Sequence, residues 1–134
     1  MKLILCIDDQ NGMMFNHRMQ SRDRVLIAEL MTHVGAAQLR VSPYSVSLFP
    51  TDAPNVTVME NPCAAATAED FVFVEDVELS PYWENVSELI LYRWNRLYPS
   101  DVKFTEDMTK FQLISTTAFE GSSHSEITKE VWKR

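Results

Sequence analysis

Leu3-Ile4-Leu5-Cys6-Ile7-Asp8-Asp9, followed by the turn Gln10-Asn11-Gly12, decides the fold class. Leu3, Leu5 and Ile7 interleave with Ile4 and Cys6, so both faces of the extended run are apolar. A strand with one wet face alternates. A nearly continuous apolar run belongs to a strand covered on both sides, as in a parallel sheet between helices. Two aspartates end the run, and Asn-Gly tolerates the positive φ of a tight turn. The run is shorter than the apolar stretch of a secretory leader and lacks a small-residue cleavage site.

Outward from that strand, Met13 to Gln20 reads as a polar, Met-rich loop. Ser21 offers an N-cap for a helix reaching about Val34. Leu26, Ile27, Leu30, Met31 and Val34 make one apolar stripe along it, and Gly35 falls where a left-handed residue ends a helix. Gln38–Val41, Asn55–Glu60, Phe71–Val74 and Glu88–Trp94 read as strands. Between them stand a turn of helix over Cys63–Ala68 and short helices opened by Ser42-Pro43 and Ser80-Pro81. Lys103-Phe104 resumes an extended course briefly. Phe111–Phe119 and Ser125–Trp132 are joined across Glu120-Gly121-Ser122-Ser123 and predict a C-terminal antiparallel hairpin. Strands alternating with helical segments imply an α/β fold with a mostly parallel sheet flanked by short helices. The 134 residues fit one domain, 1–134.

The net charge of −7 is unevenly distributed. Between Arg40 and Arg93 there is no lysine or arginine, while nine carboxylates occur: Asp52, Glu60, Glu69, Asp70, Glu75, Asp76, Glu78, Glu84 and Glu88. Nucleic acid is disfavoured, because its recognition needs clustered cations. No stretch approaches the ~20 apolar residues of a membrane span, so no membrane partner is expected. Cys6 and Cys63 match no metal or redox spacing, and Cys6 sits in a buried strand as a free thiol, which fits a reducing cytoplasm. His17, His33 and His124 are scattered without ligand spacing, so no metal is expected.

The order of elements, with Leu3-Ile4-Leu5-Cys6-Ile7-Asp8 and Asn11-Gly12-Met13 at the start, resembles the first strand and active-site loop of dihydrofolate reductases. The end is similar too: Leu89-Ile90-Leu91-Tyr92, then Tyr98-Pro99-Ser100-Asp101-Val102-Lys103-Phe104, then a hairpin closing at Trp132. The resemblance implies a dihydrofolate-reductase-like sheet. It covers most of the chain in layout and few residues in identity.

The departures from that family concern the cofactor. Where it carries a proline-tryptophan pair after the loop glycine, this chain reads Met14-Phe15-Asn16-His17-Arg18. Where it has a Gly-Arg-x-Thr turn for cofactor phosphate, this chain has Val41-Ser42-Pro43-Tyr44. Where its fourth strand ends in Gly-Gly beside the pyrophosphate, Phe71-Val72-Phe73-Val74 ends in Glu75-Asp76. The chain is also shorter than a typical member, chiefly in its middle. No cofactor is expected on these grounds.

The resemblance also points to residues. Asp23, eleven residues after Gly12, stands where the family places its proton-relay carboxylate. The plainer role of Asp23 is to complement a helix dipole. Arg18, Arg22 and Arg24 crowd the start of the same helix, and with Gly12 and Asn16 they are the expected contacts of a small anionic ligand. A solvated polar face, or pairing with the acidic middle within or between chains, stands beside that reading. Two functions are therefore weighed. One is a non-catalytic or repurposed domain that binds a small ligand or a protein partner, as a monomer or a homo-oligomer. The other is a divergent NADPH-dependent reductase of a pterin- or pyrimidine-like substrate.

Overall fold

The computed structural model describes residues 1–76 and 78–134. Its main sheet contains β1 (Lys2–Ile7), β4 (Leu39–Val41), β5 (Val56–Val58), β6 (Phe71–Phe73), β7 (Glu88–Arg93), β9 (Gln112–Phe119) and β10 (Ile127–Lys133). The strand order is β5-β4-β6-β1-β7-β10-β9. The first five run parallel, and β10 enters antiparallel to β7, then pairs with β9 as a hairpin. β1 lies between β6 and β7. Leu3, Leu5 and Ile7 are wholly buried, as the continuous apolar run requires.

Because alternate residues point to opposite faces, β1 and β7 feed two cores. Leu3, Leu5, Ile7, Leu89 and Leu91 pack on one side with Trp83, Phe104 and Phe111. Ile4, Cys6, Ile90, Tyr92 and Trp94 pack on the other with α1 (Arg24–Val34), through Leu26, Leu30 and Val34. Gly35 ends α1 at φ 62°, its N–H donating to Met31 O. A short helix, α2 (Pro62–Ala65), and 3-10 turns at Val46–Leu48 and Ser80–Asn85 complete the parallel half.

Two local expectations are corrected. Met13 to Gln20 is not a loop: β2 (Gly12–Phe15) and β3 (Arg18–Met19) form a hairpin, and β2 also pairs with β8 (Val102–Lys103). Asn16 and His17 both adopt positive φ, 52° and 61°, the conformation of a two-residue turn that matches strand twist. The helix cap is Asp23, two residues later than Ser21. Its carboxylate accepts from the N–H groups of Val25 and Leu26, and helix geometry begins at Arg24.

Candidate ligand-binding cleft

The apolar stripe of α1 is wider than the core beneath it. Leu26 and Leu30 are buried, but Ile27 and Met31 at the stripe's edge are only partly covered. With Leu48, Phe49 and Pro50 from the segment facing the helix, and with Trp94, they line a cavity of about 670 Å³. A mostly apolar concavity with a few polar groups is the usual form of a small-molecule site. The charged groups here are Arg22, Asp23 and Arg24, from the turn into α1, and Ser47 adds a hydroxyl from the facing segment.

Asp23 is fully engaged. Its Oδ1 accepts from the N–H groups of Val25 (3.0 Å), Leu26 (3.1 Å) and Ser122 (2.9 Å). Its Oδ2 accepts from Ser123 N–H at 2.8 Å and faces His124 Nδ1 at 3.2 Å. The Ser123 hydroxyl lies 3.2 Å from Oδ2, but its single proton has a nearer acceptor in Arg22 O at 2.6 Å. Burial pulls the Asp23 carboxyl upward. The hydrogen bonds from Ser122, Ser123, His124 and Leu26 outweigh it and hold the group ionised, well below the usual carboxylate range.

His124 is the residue that sequence reasoning missed. It is buried at the C-terminal hairpin tip and stacks on Trp94 with ring centroids 4.6 Å apart. A carboxylate only accepts, so Nδ1 carries the proton toward Asp23, while Nε2 lies within hydrogen-bond distance of the hydroxyls of Tyr98 (2.9 Å) and Ser21 (3.1 Å). The sequence hint was the donor-rich run Ser122-Ser123-His124 after Gly121. Gly121 itself is required: a Cβ there would sit 2.3 Å from Asp23 Oδ2.

A second cavity, about 520 Å³, adjoins the first and shares Met19, Arg22 and Leu48 with it. It is more polar, lined also by His17, Arg18, Tyr44 and Glu75. The arginines are thus distributed: Arg24 on the apolar cavity, Arg18 on the polar one, Arg22 on both. None of the three appears in a salt bridge among the described residues. Neither Gly12 nor Asn16 lines either cavity. The N–H of Gly12 donates to Asp8 Oδ1 at 2.7 Å, and that of Asn16 to Asp101 Oδ2 at 3.0 Å.

Glu75 follows the end of β6 and is only 4% exposed. Neither carboxylate oxygen has a hydrogen-bond partner among the described residues. Burial pushes its carboxyl up to about 7. The nearby Ser45 hydroxyl offsets part of the rise without closing a hydrogen bond, Asp76 adds to the rise, and Arg22 lowers it. Among the described residues no group of three or more His, Cys, Asp or Glu side chains is placed to hold a metal ion. None of the described helices is long and apolar enough to cross a membrane.

Compared with known proteins, the chain is similar along its whole course to dihydrofolate reductase from Enterococcus faecalis, solved in complex with NADP(H) and RAB-propyl. The TM-score is 0.74 at 14% identity, over 99% of this chain and 95% of that one. The fold is that of dihydrofolate reductase. No protein-family model and no curated protein matches the sequence. The dihydrofolate reductase fold accounts for the parallel sheet, the helix beside the cleft and the antiparallel strand pair at the end.

Proposed function

We propose that this chain is a repurposed dihydrofolate-reductase-like domain that binds a small anionic ligand with an apolar body between α1 and residues 47–50, without catalysing NADPH-dependent reduction. The observation that carries this reading is the state of Asp23, the one carboxylate among the described residues lining the apolar cleft. Its oxygens are filled by backbone N–H groups and His124, so it has no free lone pair to offer a ligand and no proton to relay. With that charge satisfied internally, Arg22 and Arg24 make the cleft electropositive. An apolar body removes the partly covered edge of the α1 stripe from water, and an oxyanion gains charge-assisted hydrogen bonds from the guanidinium groups.

The test is calorimetric titration with 3-phenylpropionate, with acetate as the control lacking an apolar body. Saturable binding is expected for the first and none for the second. Replacing both Arg22 and Arg24 by alanine should weaken the binding by about tenfold or more. No binding of 3-phenylpropionate, or equal binding to the double variant, overturns the reading.

A further inference from the structure

Buried polar groups are nearly always hydrogen-bonded, so a carboxylate whose two oxygens are both unpartnered calls for an explanation. Among the described residues Glu75 is such a group, and it lines a cavity. Two guanidinium groups, Arg18 and Arg22, line the same cavity, yet neither approaches Glu75 closely enough to form a salt bridge. Opposite charges held apart across an opening of about 520 Å³ suit a molecule that carries both signs itself. Arg22 also lines the apolar cavity, so the place for the ligand's anion is the boundary between the two.

We infer that the paired cavities form a site for a free amino acid with an apolar side chain: ammonium on Glu75, carboxylate on Arg22 at the boundary between them, side chain against Ile27, Met31 and Leu48. This rests on the ligand-binding reading above and names the ligand's second charge. The ammonium supplies the donors that Glu75 lacks. The carboxylate takes up the Arg22 guanidinium, which has no salt-bridge partner among the described residues. The side chain covers the edge of the α1 stripe. A ligand without the ammonium leaves Glu75 buried and unpaired, which is costly.

The experiment compares L-phenylalanine, 3-phenylpropionate and phenethylamine by calorimetry at pH 8 on the wild-type chain and on Glu75→Gln and Arg22→Ala. L-Phenylalanine is expected to bind about tenfold tighter than either truncated analogue. Glu75→Gln should erase its advantage over 3-phenylpropionate, and Arg22→Ala its advantage over phenethylamine. If L-phenylalanine and 3-phenylpropionate bind the wild type equally well, the amino-acid inference is overturned and the anionic cleft stands. If no compound binds, both fall together. An advantage for L-phenylalanine that persists in Glu75→Gln removes Glu75 from the site and overturns the inference.

Discussion

Asp23 and His124, 101 residues apart in the chain, meet at 3.2 Å and fasten the start of α1 to the tip of the C-terminal hairpin. The contact joins the helix lining the cleft to the part of the fold farthest from it in sequence. Beside it, Ser123 Oγ donates to Arg22 O and ties the backbone just before α1 to the same hairpin tip.

Removing the carboxylate with Asp23→Ala leaves five donors without their acceptor and deletes a helix cap. A cost of about 2–4 kcal/mol is expected in urea denaturation at neutral pH. The dependence on pH has a definite sign. The folded carboxyl titrates below its unfolded value near 3.8, so the stabilisation is complete above that value and is lost as the pH falls below it. Wild type and Asp23→Ala should therefore converge in stability as the pH drops below 4. Equal stabilities at neutral pH would contradict this account of the contact.

Gly121→Ala should destabilise the fold, because the added methyl carbon would lie 2.3 Å from Asp23 Oδ2 and 2.8 Å from Ile127 Cδ1. Relief requires the hairpin tip to move away from Asp23. A loss of about 1–3 kcal/mol is expected. Thermal denaturation of the variant beside Gly121→Ser, which adds the same Cβ, should show losses of similar size. An unchanged melting temperature in both would mean that the hairpin tip is not held against the helix.

Glu75→Gln should stabilise the protein at pH 8 and have little effect near pH 4. The folded carboxyl lies near 7 against an ordinary value of 4.5, so the folded state holds a proton that the unfolded chain has released across that interval. Stability contributed by the protonated form is full below 4.5 and is lost as the pH rises through 7. The difference amounts to as much as ~3 kcal/mol at about 1.4 kcal/mol per pH unit. The charged and titratable groups facing it are Asp76 beside it, Cys6 on β1, His17, Arg18 and Arg22 across the cavity, and Tyr44. A gain of the same size at pH 4 and pH 8 would show that ionised Glu75 is not strained.

The parallel core was legible because its signal is local. The uninterrupted apolar run of Leu3 to Ile7 already demands cover on both faces, and the alternation of Leu89 and Leu91 with Ile90 and Tyr92 assigns each to its own core. The β2–β3 hairpin was not legible, since it depends on His17 joining Asn16 at positive φ, which histidine adopts only when its surroundings favour it. The position of the cap was ambiguous between Ser21 and Asp23, and a partner 101 residues away decided it. The arginines were visible as a cluster, but their division between two cavities arises from packing against residues 44–50. Glu75 showed in the sequence as bulk and charge at a strand end. That it is buried without a partner among the described residues is a tertiary fact.

The central claim, that this cleft serves a small ligand and not a nicotinamide cofactor, is tested most directly by calorimetric titration with NADPH at low salt. No lysine or arginine lies between Val41 and Tyr92, and Glu75-Asp76 places two carboxylates beyond β6. A phosphate brought within ~4 Å of the Asp76 carboxylate would meet a repulsion of about 4 kcal/mol at an effective dielectric near 20, before relaxation. Low salt leaves that repulsion least screened. The account predicts no saturable binding of NADPH tighter than roughly 50 µM. Saturable binding below that value would contradict it and make a divergent reductase the better description of this chain.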